Sequence, residues 1–224
     1  MLGCWVRYCA PHHDRTPTTM TASKLPRDFY ARSTLVVARQ LIGMHLVHEV
    51  GGVRRVGRIV ETEAYLGPHD RAAHSARGLT ARTRVMFGPP GHAYVYLIYG
   101  LYECLNLVAE PDGEPGCVLL RALEPVAGLD EMRRRRPAAR RPEDLASGPG
   151  KLTLAMGITR RYHGQDLTRG PLIVRRPDPP PALPIAVTPR IGITHCADWP
   201  LRFCIEGNAF VSGSVRTATV SHMR

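Results

Sequence analysis

The sequence predicts an α+β fold: a single mixed domain with a curved antiparallel β-sheet core, flanking helices and a protruding, tyrosine-bearing β-hairpin. Three observations predict it. Runs rich in β-branched and aromatic residues recur along the chain, with turn glycines at Gly51-Gly52 and Gly100. Helical spacing is confined to short stretches. A chain of 224 residues is long enough for one substantial core, and it holds no internal repeat.

Residues 1–24 lack the long apolar stretch and small-residue cleavage site of a signal peptide, and read as a disordered tail. The domain is expected over residues 25–212, with a second disordered tail over 213–224. Residues 25–43 start near a proline and carry Leu35, Val36, Leu41 and Ile42 at helical spacing, which predicts a helix. His45–Val50 and Arg54–Tyr65 read as strands joined at Gly51-Gly52. Residues 67–90 form a long glycine- and charge-rich loop, and loops of that length usually carry function. His92–Tyr99 alternates as a strand, Tyr99–Tyr102 turns, and Cys104–Val108 returns. Gly116–Leu123 is a further apolar strand. Leu129–Arg141 reads as a helix that becomes strongly basic. Ser147–Gly157 combines a Gly-Pro-Gly turn with a short helix. Asp178–Pro184 is a proline-rich surface segment. Strands are expected again near Arg190–Thr194 and Leu201–Ile205.

Composition narrows the partners. The 30 Lys+Arg against 19 Asp+Glu give a net charge of +11, which favours a polyanion, most commonly nucleic acid. All but Lys24 and Lys151 of these cations are arginine, whose planar fork suits phosphate. Arginine-rich genome composition explains the same excess without any nucleic acid. No apolar run approaches the roughly 18–20 residues of a membrane span. None of the six cysteines forms a CxxC pair or zinc-finger spacing. Reduced thiols in the cytoplasm are expected, with Cys104 and Cys117 buried, and neither a metal nor a cofactor.

Chemistry concentrates in three segments. Within Val60–Pro68, Glu61 and Glu63 project to one face of a strand, ~7 Å apart at the backbone. Two carboxylates on one face fit general acid and base work at an acetal carbon; a solvated strand face is the plainer reading. The pair leads directly into the long loop, which supplies His74. Beside Tyr65, that imidazole reads either as a surface residue or as the wall of a pocket that sandwiches a flipped base. In Tyr94–Tyr102, period two places Tyr94, Tyr96 and Ile98 on one face, with Tyr99 at the strand tip. Tyr99 reads equally as a packed hairpin corner or as a wedge between base pairs.

The ordered series from Glu61 through Pro68, with Asp70 and Ala72–Ser75, resembles the alkyladenine (3-methyladenine) DNA glycosylase family. So do Met86-Phe87, Pro90-Gly91, Tyr94–Tyr96, Ile98–Gly100, Asn106, Val118–Pro125, Gly148–Leu152 and Pro189–Gly192. The resemblance covers about residues 25–206 in one consistent order. It implies roles. Glu63 is the expected general base for the attacking water, and Arg121 the residue that orients it. Tyr65 and His74 are expected to stack on and contact the flipped base, with Tyr96 as the opposite wall. Asn106 is expected to disfavour the exocyclic amino group of guanine. Tyr99 is the expected minor-groove wedge and Leu101, where some relatives have methionine, an apolar DNA contact. Lys151 is expected at a helix N-terminus against phosphate. The loop Arg77–Val85 departs from the animal form, which leaves its DNA contacts open.

The resemblance thus implies a base-excision enzyme acting on double-stranded DNA as a monomer. Its substrates would be 3-methyladenine, 7-methylguanine, hypoxanthine and ethenoadenine. Other readings stand beside it: a bifunctional glycosylase/lyase using Lys151 as amine nucleophile, a non-catalytic lesion-binding protein, a hydrolase of free nucleosides, and a metal-dependent nuclease.

Overall fold

The computed structural model describes residues 23–213; most of the expected N-terminal tail and residues 214–224 of the C-terminal one lie outside them. The chain order is β1 (Ser23–Lys24), α1 (Arg27–Tyr30), α2 (Thr34–Gln40), β2 (His45–Val50), β3 (Val53–Tyr65), β4 (Ala93–Ile98), β5 (Tyr102–Val108) and β6 (Cys117–Ala127). Then come α3 (Leu129–Arg135), α4 (Pro149–Met156), β7 (Leu172–Arg176), β8 (Ile185–Thr188) and β9 (Arg202–Ile205). All nine strands join one antiparallel sheet, in the order β1-β7-β2-β3-β6-β5-β4, with β9 on β3 and β8 on β9. The α+β architecture with a curved antiparallel sheet is therefore as the sequence predicts. Ser23–Lys24, assigned by sequence to the tail, pair with β7.

Strand β3 organises the sheet. Its first half pairs with β2, closed by Gly51-Gly52 at φ 59° and 75°, the left-handed pair that a two-residue hairpin needs. Its second half, Glu61–Glu63, pairs with β9 instead. Strand β6 covers the other edge throughout, but the register slips between Ile59 and Thr62. Glu61 faces Ala122 and Thr62 faces Leu120, so Arg121 is skipped in the ladder. Such a bulge bends the strand and re-aims a side chain; here the side chain is Arg121.

The apolar core lies against the sheet. Leu41, Ile59, Leu105, Leu120, Leu152 and Phe203 belong to one buried cluster. Burying each such side chain contributes roughly 1.5–3 kcal/mol.

Three elements differ from the sequence reading. The helix expected over 25–43 is two helices. The break falls at residues 31–33 because the Glu110 carboxylate accepts the Thr34 backbone N–H at 2.6 Å, capping α2 from a distant loop. In α2 it is Val37 and Ala38 that are buried, while Leu35 and Val36 are exposed. The basic helix stops at Arg135 rather than Arg141, since Pro137 disfavours helical backbone at Arg136. No strand forms at Arg190–Thr194; the strand is β8, ended by Pro189, and the Arg190 side chain turns inward to a buried carboxylate.

Candidate active site

Glu63 sits where β3 meets β6 and β9, and its side chain is wholly buried. Its Oε2 accepts the Tyr65 hydroxyl at 3.0 Å and its Oε1 accepts the Ile191 backbone N–H at 2.8 Å. The Arg121 guanidinium lies 3.3 Å from Oε1. Burial pushes the Glu63 carboxyl above the usual range, against the opposing pull of Arg121, the Ile191 N–H and the Tyr65 hydroxyl. The result is a carboxylate held by donors yet favouring protonation more than a free one, the direction that a proton acceptor needs.

Glu61 has a different place. It accepts Arg121 Nε at 2.9 Å, Arg202 Nε at 2.6 Å and the Ser212 backbone N–H at 2.7 Å. Both of its oxygens are engaged in a buried network, so the pair expected to share acid and base work divides: Glu61 anchors the arginine that touches Glu63.

Beside Glu63 lies a pocket whose lining includes Tyr65, His74, Tyr96, Asn106 and Arg121, with Met86, Cys117, Leu119 and Ile191. Glu63 lies behind three of these, Tyr65, Arg121 and Ile191, rather than on the open wall. The structure thus gathers Arg121, Tyr65, His74, Tyr96 and Asn106 around one cavity, and Glu63, which does not line it, contacts the Tyr65, Arg121 and Ile191 that do. His74 enters from a single helical turn of the long loop, His74–Arg77. Its Nδ1 is 2.9 Å from the Tyr94 hydroxyl, and its ring meets Tyr96 edge-on at 4.6 Å. Burial, reinforced by Arg82 and Arg77, drops His74 to about 4, so the imidazole is neutral at physiological pH. Asn106 is buried; its amide donates to the Tyr94 carbonyl at 3.2 Å, and its oxygen faces the Cys117 thiol. Cys104 and Cys117 are buried and free, as expected.

Tyr99, Leu101 and Lys151 stand outside this cavity. Tyr99 and Leu101 tip the turn between β4 and β5, 82% and 73% exposed. Tyr99 adopts φ 53°, rare for a non-glycine residue. Exposed Lys151, in the first turn of α4, lines a groove with Tyr99, Tyr102 and Arg136 that shares Arg121 and Ile191 with the pocket.

Three residues of the site carried no role in the sequence reading. Asp70 and Arg190 form a buried ion pair with Nη2 to Oδ1 at 2.8 Å, and the Arg190 guanidinium stacks over the Tyr65 ring at 4.6 Å. Ile191 contributes a backbone donor. Among the described residues no three His, Cys, Asp or Glu side chains group to hold a metal, and no helix is long and apolar enough to cross a membrane.

The profile of methylpurine-DNA glycosylase (MPG) matches residues 28–209. A protein of Methanoculleus marisnigri is 56% identical over 191 residues, 84% of this chain and 98% of its own length. One of Methanocella arvoryzae is 54% identical over 179 residues, 80% of this chain and 88% of its own. One of Legionella pneumophila is 45% identical over 192 residues, 84% and 98% respectively. All three bear the provisional name 3-methyladenine DNA glycosylase. With more than half of its length matched and relatives of such identity, the chain belongs to the methylpurine-DNA glycosylase family.

Proposed function

We propose that this DNA glycosylase flips alkylated or deaminated purines out of duplex DNA and hydrolyses their N-glycosidic bond with a water activated by Glu63. The observation that carries the reading is the buried Glu63 carboxylate, held by Tyr65, Ile191 and Arg121 at the back of an aromatic pocket. Breaking the bond leaves positive character on the sugar. Glu63 takes a proton from the attacking water, whose oxygen bonds to the sugar carbon, and the carboxylate stabilises the charge that develops there. The bond's electron pair departs with the purine, leaving an abasic site. Cationic bases such as 3-methyladenine and 7-methylguanine leave readily. Hypoxanthine and ethenoadenine are neutral and take a proton as they go.

Tyr65, its outer face pinned by Arg190, and Tyr96 are the aromatic walls of the base site, and His74 completes it. Asn106 guards against guanine. Tyr99 and Leu101, exposed on the hairpin tip, fill the gap left by the flipped nucleotide, and Lys151 meets phosphate in the adjoining groove. Lys151 lines that groove and not the pocket, which supports a monofunctional, water-based enzyme over a lyase. The protein acts as a monomer on DNA in the cytoplasm.

Single-turnover excision of hypoxanthine and ethenoadenine tests the reading. Glu63→Gln is expected to slow it by about 10²–10⁴-fold with duplex binding retained. Equal rates in variant and wild type would move the chemistry away from Glu63, and a covalent adduct trapped by borohydride would restore Lys151 as nucleophile.

A further inference from the structure

Arg82 belongs to the long loop and touches the base pocket only from behind. Its guanidinium carbon is 5.2 Å from the Tyr96 ring centroid, and its charge pulls the Tyr94 hydroxyl down against the burial that raises it. Tyr94 and Tyr96 line both the base pocket and an outer cavity; Arg82 lines only the outer one. The Tyr94 hydroxyl is 2.9 Å from His74 Nδ1. The three rings are in mutual contact, with His74 and Tyr94 at 5.9 Å, His74 and Tyr96 at 4.6 Å, and Tyr94 and Tyr96 at 5.4 Å. Arg82 makes no ion pair with any carboxylate of the described residues, so its charge is not cancelled locally.

We propose that Arg82 is a positioning residue that sets the charge preference of the base pocket, disfavouring cationic purines relative to neutral ones. The inference rests on the reading of this pocket as the base site. Arg82 acts on the pocket in two ways. The Arg82 charge beside the Tyr94 hydroxyl favours the orientation in which the oxygen lone pairs face Arg82 and the O–H donates to His74 Nδ1. That leaves the His74 proton on Nε2 and the ring uncharged, consistent with the depression of His74 by Arg82 and Arg77. The second effect is direct. A cation on the outer face of Tyr96 draws on the same ring quadrupole that a cationic base on the inner face would use, and the two positive charges repel across the ring. A neutral base meets neither this competition nor this repulsion, so the direct effect carries the preference.

The test compares single-turnover excision of 7-methylguanine, a cation, with that of neutral hypoxanthine from duplexes of the same sequence. Arg82→Gln is expected to raise the 7-methylguanine to hypoxanthine rate ratio by about three- to tenfold. Arg82→Lys keeps the charge and is expected to keep most of the wild-type ratio. The ratio cancels any general loss of DNA affinity or folded protein. The His74 ring-nitrogen NMR shifts supply a readout that needs no activity: the proton is confined to Nε2 in the wild type and released from that confinement in Arg82→Gln. A ratio unchanged in Arg82→Gln, or His74 shifts that do not move, would overturn the proposal. Wild-type protein that excises neither base would overturn the reading of the pocket instead, and the His74 shifts would still decide whether Arg82 governs the ring.

Discussion

Glu63 shows how a single residue is placed for chemistry at a cost to the fold. Its carboxyl is raised because burial outweighs Arg121, the Ile191 N–H and the Tyr65 hydroxyl. A group whose folded-state pKa is raised contributes stability that is fully present below its unfolded value, near 4.5, and lost as pH rises through the folded value. At neutral pH Glu63 therefore contributes less stability than it does in acid. Glu63→Gln, inactive by the proposed mechanism, is expected to melt no lower than the wild type at pH 7–8, with its advantage shrinking as the pH falls toward 4. Melting curves of the two proteins across that range check it; a variant that melts well below the wild type at neutral pH would mean the charge holds the site together. Glu61 makes the opposite contribution. With both oxygens bonded to Arg121, Arg202 and Ser212, its removal leaves the buried Arg202 without a carboxylate and Arg121 with Glu63 alone, so Glu61→Ala is expected to destabilise by about 3–5 kcal/mol in chemical unfolding. The sequence shows both glutamates on one strand but not this division, because the partners come from β6, β9 and the C-terminal segment. The donor on Glu63 is equally hidden: a backbone N–H at Ile191 has no side-chain signature, and Asp70 and Arg190 meet from 120 residues apart in the chain.

At the scale of elements, what the sequence shows is period, and what it hides is register. Strands β2 to β6 follow from alternation and turn glycines, and the residues gathered round the pocket lie at their ends and in the loop between them. The bulge that aims Arg121 depends on how β3 meets β6, which no local pattern encodes. The break between α1 and α2 likewise comes from Glu110, far along the chain. A second tertiary device joins β2 to α4. His48 Nδ1 donates to the Met156 carbonyl at 2.7 Å, and its Nε2 accepts the Tyr162 hydroxyl at 2.7 Å. This ring docks the helix whose first turn carries Lys151. Burial is the main cause that depresses His48 to about 4; Arg55, Arg161 and Arg135 add to it, and the bond to Met156 opposes it. A histidine with a lowered folded value stabilises above its unfolded value, near 6.5, and that stability is lost as pH falls toward 4. The wild type is thus expected to lose thermal stability progressively from pH 6.5 to 4. His48→Gln should start less stable and follow a shallower pH dependence, with His74 supplying part of what remains. Parallel slopes in the two proteins would remove His48 from the acid response.

Over the whole molecule, the question is where the net charge of +11 acts. The arginines of α3 are largely compensated at home: Arg133 pairs with Asp130, and Arg134 and Arg135 with Glu131. Arg141 is likewise held by Asp144. The loop beside the pocket is different. Arg71, Arg77 and Arg82 line one concavity that shares Ala72 and His74 with the pocket beside Glu63, and none makes an ion pair among the described residues. A phosphate backbone approaching the pocket therefore meets uncompensated cations, while one approaching α3 must compete with carboxylates. Neutralising Arg71 and Arg77 together to Gln is expected to weaken duplex binding at low salt. It should also flatten the dependence of log affinity on log salt by about 0.9 for each phosphate no longer neutralised. Neutralising Arg133 and Arg134 in the same way is expected to change neither. Affinity for an undamaged duplex, titrated across salt concentration, separates the two faces without reference to catalysis. A flattened slope in the α3 variant and an unchanged one in the loop variant would place the phosphate contacts on α3 and not on the loop.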